Sequence, residues 1–201
     1  ANVAALGEMW QGGGKGYRDI VMITLGTGVG GGVILNQKMV SGAHGLAGEI
    51  GHIHVRDEEQ EHCNCGGMGC LEQVASATGI AREARRTMAS CDTPSLLREY
   101  GDRVTAKNVL DAAKAGDALA DQVVEVVCRY LGLALAQASM MMDPEIFVIG
   151  GGVSKAGQYL IDRIYGHYDY FTPISKNKAK IGLATLGNDA GIYGAARLIL
   201  E

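Results

Sequence analysis

The chain carries no excess of basic charge. Its 201 residues hold 18 Lys and Arg against 22 Asp and Glu, a net charge of -4, which removes the electrostatic case for a nucleic-acid partner. No apolar run reads as a membrane span, because the best stretch, Val123–Met142, is interrupted by Glu125, Arg129 and Gln137. There is no internal repeat and no linker. Gly reaches 30 residues, but its clusters are local, so low complexity is excluded. No glycine run is followed by Lys and then Ser or Thr, so a Walker loop is absent. The five cysteines are an odd count, and three of them crowd together near a His. A metal site in a reducing compartment fits that pattern better than disulfides. The first residue is not Met, and ANVAALGEMW is already helix-like. The chain therefore reads as a fragment that starts inside an element, and the absence of a signal peptide is uninformative.

What is present suits one globular core: 47% hydrophobic and 20% charged residues. Ala1–Met9 reads as a helix tail ending before Gly12-Gly13-Gly14. Ile20–Leu25 and Gly31–Asn36 read as strands, with Asn36-Gln37 as a tight turn into Lys38–Ser41, and Ile50–Val55 alternates in the same style. Helices are expected over Leu71–Ala77, Gly79–Ser90, Ala106–Ala115 (capped by Thr105) and Ala118–Met142. Glu145–Ile149 and Ile181–Thr185 read as strands, each followed by a helix, Ser154–Tyr165 and Ala190–Leu200, the last capped by Asn188 or Asp189. Three meander strands followed by β–α units predict an α/β fold with a mixed sheet, the order of the ribonuclease-H-like, actin-like ATPase half-domain. Residues 79–118 add a helical insertion. Cys128 reads as a small buried hydrophobe. The acidic run 57–61 reads as a solvated loop, and Met140-Met141-Met142 as helix-end packing.

The richest segment runs from Gly48 to Gln73: GEIGHIHVRDEEQEHCNCGGMGCLEQ. Cys63, Cys65 and Cys70 are spaced C-x-C-x4-C, and His52 lies eleven residues before the first. Three thiolates and one imidazole complete a tetrahedral zinc shell, with no open position for an activated water. His62, beside Cys63, is a rival for the fourth ligand. Glu49 and Glu72 bracket the shell, and a pair of carboxylates can accept hydrogen bonds from vicinal hydroxyls, as on a sugar. If zinc takes one nitrogen of His52, the other points in a fixed direction toward a ligand.

Two glycine loops follow strands. Gly26-Thr27-Gly28-Val29-Gly30 leads into another strand, so its exposed N–H groups form a nest for phosphate oxygens without a helix dipole. Gly150-Gly151-Gly152 lies at a strand's C-terminal end, the edge where open α/β sheets bind ligands. Together they suggest a nucleotide, with phosphates at one loop and base at the other.

In order and spacing, GTGVGGG, GEIGHI, CNCGGMGCLE, IGGGVS and LGNDAGIYGAA resemble the ROK family of repressors and sugar kinases, and most closely its bacterial glucokinases. The resemblance covers nearly the whole chain. It implies a cytoplasmic enzyme of glycolysis that binds a hexose between two domains and transfers the γ-phosphate of ATP to it with Mg2+, often as a homodimer. It implies that Asn2, Glu49, His52 and Glu72 touch the sugar. It assigns His52, Cys63, Cys65 and Cys70 to a structural Zn2+, favouring His52 over His62. Gly26, Thr27, Gly28 and Gly30 would line the phosphates, with Gly28 also near the sugar, and Gly151 and Gly152 would lie by the adenosine. The family's catalytic Asp stands immediately before the residue matching Ala1, and an N-terminal domain of roughly a hundred residues precedes it, so this polypeptide alone is expected to be inactive. A sugar-sensing repressor of the same family and a ligand-free zinc module are the competing readings. The intact GTGVGGG loop favours the kinase over the first, and the converging acids argue against the second.

Overall fold

The computed structural model describes residues 1–200. Five strands form one sheet in the order β3-β2-β1-β4-β5: β1 (Ile20–Leu25), β2 (Val29–Leu35), β3 (Lys38–Val40), β4 (Ile146–Gly150) and β5 (Lys180–Leu183). The first three are antiparallel neighbours, and β4 and β5 run parallel to β1. This is the mixed sheet of the ribonuclease-H-like half-domain. Asn36 and Gln37 both have positive φ, 52° and 65°, as a two-residue turn matched to strand twist requires.

Alternation along β1 divides the core. Ile20 and Met22 face helix α1 (Asn2–Gln11), while Val21, Ile23 and Leu25 face the opposite layer. That layer contains α5 (Ala118–Met142) and α6 (Gln158–Phe171). The C-terminal helix α7 (Ala190–Ile199) packs on α1. Helix α5 starts cleanly because Asp117 accepts the Ala120 N–H at 3.0 Å. Contrary to the reading of Val123–Met142 as too interrupted, α5 is long and apolar enough to cross a membrane by composition. Its apolar residues here form the centre of the core, Cys128 among them. The helices of the 79–118 stretch, α3 (Ala77–Ser90) and α4 (Ala106–Lys114), contribute Ile80, Ala84, Val109 and Leu110 to the same core. Thr105 caps α4 with a full capping box through Asn108.

Several boundaries differ from the sequence expectation. Ile50–Val55 is not a strand. Ile50–His52 forms a 3-10 turn, and the remaining backbone pairs with the end of the cysteine loop, Val55 N donating to Gly69 O and Leu71 N to Ile53 O. Ile50 still faces the core, so a local pairing leaves the same alternation as a sheet strand. The expected helix 71–77 is one turn, α2 (Glu72–Ala75), ended where Ser76 turns to cap α3 through the Gly79 N–H. The expected helix Ser154–Tyr165 begins only at Gln158, because Gly157 at φ 72° separates it from a 3-10 turn, Val153–Ala156. It then continues to Phe171, since Ile164 and Tyr168 extend its buried stripe. Asp189 occupies the N-cap position of α7, but its side chain makes no capping bond there. Met140 and Met141 are exposed rather than packed, Met141 by 87%.

Candidate functional site

Register places both glycine loops at one sheet edge. Thr24 on β1 pairs with Gly150 on parallel β4, so Gly26 and Gly151 emerge side by side from strand C-termini. The β1–β2 connection is a three-residue loop, Gly26–Gly28, closed by Gly26 N donating to Gly28 O at 2.9 Å. The start of α3 braces it: Ala77 N donates to Gly26 O, and the Thr78 hydroxyl to Thr27 O at 2.8 Å. Thr27 itself is exposed. A cleft of about 350 Å³ brings together Gly26, Thr27, Gly28, Gly30, Glu72 and Gly151. Gly151, at φ 87°, lies so close to Leu25 that a Cβ would sit 2.4 Å from its carbonyl oxygen, so this position requires glycine. Gly152 faces a different cavity, of about 430 Å³, between α4 and the Val153–Ala156 turn. The two glycines expected at one adenosine site thus open onto neighbouring spaces.

Glu72, at the first position of α2, reaches under this loop. Its Oε2 accepts the Val29 N–H at 2.8 Å, and its Oε1 lies 3.9 Å from Cys63 Sγ. One carboxylate therefore joins the glycine hairpin to the cysteine loop.

The cysteine loop gathers the four expected ligands. Ligand atoms of His52, Cys63, Cys65 and Cys70 all lie within 4.8 Å of one another. Cys63 Sγ is 3.7 Å from His52 Nδ1, and Cys65 Sγ is 3.6 Å from Cys70 Sγ. Tetrahedral zinc with bonds of about 2.3 Å to sulfur and 2.0 Å to nitrogen spaces its ligands roughly 3.5–3.8 Å apart, so the residues present fit that ion, and the sulfurs are too far apart for a disulfide. His62 stands outside the cluster, exposed, with its Nδ1 on Gly66 O at 3.2 Å. The Gly67 N–H holds the Cys65 thiol below its ordinary pKa, while burial pushes Cys70 up to about 12. The Gln73 side chain accepts from Cys70 N and donates to Glu61 O, bracing the loop from α2. With Nδ1 of His52 toward the thiols, Nε2 lies 3.9 Å from Glu49 Oε2, both side chains partly exposed. The free edge of the ring and this carboxylate thus face the same space.

Asn2 stands apart. Helix α1 begins against Gly30 and Gly32, whereas Gly48 packs on Gly31, so Asn2 and Glu49 approach β2 from opposite faces. The Asn2 Oδ1 is buried without a partner.

The acidic run is not merely solvated, as expected from its composition. The Glu59 side chain is 1% exposed and accepts from Arg86 at 2.8 and 3.0 Å and from Arg82 at 3.2 Å. The Arg86 guanidinium, aided by Arg82, holds its carboxyl down to about 2. Arg56 forms a bidentate pair with Glu83 of α3. These ties fasten the segment between His52 and Cys63 to α3. The available signal was Arg82 and Arg86 four residues apart on one helical face, opposite a run of acids.

A ROK family model matches residues 1–201. A glucokinase of Halalkalibacterium halodurans is 49% identical over 204 residues, covering all of this chain and 62% of that protein. A xylose repressor of Caldicellulosiruptor bescii is 29% identical over 203 residues, covering all of this chain and 51% of the repressor. The crystal structure of a ROK family glucokinase from Streptomyces griseus, in complex with glucose and AMPPNP, superposes with a TM-score of 0.87 at 36% identity, covering 98% of this chain and 65% of that one. The chain spans less than two thirds of the length of these relatives. With its sheet, its glycine loops and its whole length matched, the chain belongs to the ROK family.

Proposed function

We propose that the complete protein is a glucokinase that transfers the γ-phosphate of ATP to glucose, and that this chain supplies most of its contacts with sugar and nucleotide. The observation that carries this reading is the position of Glu72, which links the glycine hairpin to the cysteine loop through one carboxylate. A sugar held at Glu49, His52 and Glu72 then lies beside the loop Gly26–Gly30 that cradles phosphate. The likeness to glucokinases at up to 49% identity supports the same reaction.

In that reaction the sugar hydroxyl oxygen bonds to the γ-phosphorus, the bond to the β,γ-bridging oxygen breaks, and ADP leaves. The hydroxyl proton passes to the carboxylate that the family likeness assigns to the position before Ala1. The work of this chain is positioning and charge stabilisation. Zinc held by His52, Cys63, Cys65 and Cys70 would stiffen the loop and orient the His52 ring, supplying no nucleophile. Mg2+ enters with the nucleotide phosphates, and no carboxylate of this chain is assigned to it. Gly152 and its cavity take the adenosine.

The test is a rate assay on the full-length protein with ATP, Mg2+ and a panel of hexoses. Glucose is expected to give the highest kcat/KM. Sugar binding without phosphate transfer would instead indicate a sensor of the repressor type, and a better N-acetylated or keto hexose would reassign the substrate.

A further inference from the structure

We infer that the cavity beside Gly152 accepts 6-oxopurine nucleotides, GTP and ITP, as phosphoryl donors nearly as well as ATP. The inference rests on the kinase reading above and deepens it by naming the donor class.

The walls of this cavity are Ala77, Ala106, Leu110, Val153 and Ala156. Small apolar surfaces stack on any purine and read neither edge of it. Discrimination must then come from polar side chains at the rim, and most of these are committed elsewhere. The Thr105 hydroxyl is used in the capping box of α4, donating to Asn108 Oδ1 and accepting from Asn108 N. Asp111, the one anionic acceptor among the lining residues, is paired with Lys107. Lys114 lies over the Tyr159 ring, 5.7 Å from its centroid. Lys155 is exposed on the Val153–Ala156 turn and has no side-chain partner among the described residues.

Adenine offers an amino donor at C6 and needs an acceptor there, whereas guanine and hypoxanthine offer an oxygen and need a donor. The uncommitted side chain at the rim is a donor, Lys155, and the acceptor that would reward adenine is already engaged by Lys107. A site built to hydrogen-bond one ligand rejects the analogue by about 10⁴-fold, while an apolar site separates ligands by only about 10- to 100-fold. The bond changes are those of the ATP reaction. The sugar oxygen bonds to the γ-phosphorus, the bridging bond breaks, GDP or IDP leaves with the electron pair, and the hydroxyl proton goes to the same base.

The experiment measures initial rates on the full-length protein at saturating glucose and Mg2+, with ATP, GTP and ITP varied in turn. For GTP and ITP, kcat/KM is expected within about tenfold of ATP, the range of an apolar base site; a larger preference for ATP overturns the inference. Lys155→Ala is expected to lower kcat/KM for GTP and ITP by about tenfold relative to ATP on the same variant, the value of one hydrogen bond to a charged donor, and Lys155→Arg to restore the wild-type ratio. An equal loss for all three donors in Lys155→Ala overturns the role given to Lys155. Transfer from ATP alone defeats this inference and leaves the kinase reading standing, whereas transfer from no nucleotide defeats both.

Discussion

The Glu72 carboxylate accepts the Val29 N–H at 2.8 Å and occupies the space beside Gly28, where an added Cβ would fall 2.3 Å from Glu72 Oε2. The hairpin loop and the cysteine loop are therefore set against each other by one contact that an added side chain would displace. Gly28→Ala must push the carboxylate aside or open the hairpin. In the full-length protein kcat/KM is expected to fall by at least about a hundredfold, as a displacement of about 1 Å in reacting groups costs. The contact is local, so the thermal midpoint should move little. Wild-type kinetics in this variant would mean that the close approach has no bearing on the site.

The spacing of the four ligand atoms predicts one zinc per chain. Cys70→Ser removes a buried ligand and is expected to abolish zinc retention in metal analysis of the purified protein. On the proposed reading one ring serves both, so His52→Gln should weaken zinc retention and glucose affinity together. Calorimetric titration of the full-length variant with glucose reads the second effect. Glucose affinity that stays at the wild-type value after zinc is lost would separate the metal from the sugar.

The parts of the fold legible in the sequence are those whose signals are continuous and local. Strand β1 is a pure β-branched and apolar run, and α5 carries its own cap at Asp117. The cysteine cluster shows because all its ligands fall within nineteen residues, 52–70. Ile50–Val55 misled because period-two alternation reports a buried face and not the partner, and here the partner is a loop. Burial of Glu59 was only half legible: Arg82 and Arg86 share one helical face opposite a run of acids, but the docking of that helix against the loop is not encoded locally. The opposite approaches of Asn2 and Glu49 to β2 depend on which face each glycine presents, which follows from register and not from composition.

The pairing of Glu59 with Arg86 and Arg82 makes stability depend on acid. Its carboxyl is held at about 2 in the folded chain, against an ordinary 4.5. The stabilisation is fully present above about pH 4.5 and is lost as pH falls toward 2, because the unfolded chain binds the proton first. The shift corresponds to about 3 kcal/mol. Glu59→Gln is expected to lower the thermal midpoint at neutral pH and to flatten the decline between pH 5 and 3. A variant that keeps the wild-type acid profile in a thermal scan across that range would assign the acid sensitivity to other groups.

Glu8 is the second fully buried carboxylate, and it acts through backbone. It accepts from Gly13 N at 2.7 Å, Thr185 N at 3.0 Å and Leu186 N at 2.9 Å. Those bonds fix the end of α1 to the segment that leads from β5 into α7. Glu8→Ala would leave three N–H groups without an acceptor, at a cost of at least about 3 kcal/mol. Glu8→Gln keeps the shape and one carbonyl oxygen, so it should cost less than half as much. Urea unfolding compares the two directly. Because α1 also begins against Gly30 and Gly32 of the glycine hairpin's strand, which the proposed function places at the phosphates, loosening its far end should raise the KM for nucleotide even in the milder Glu8→Gln variant. A stability loss with unchanged KM would confine Glu8 to holding the helices together.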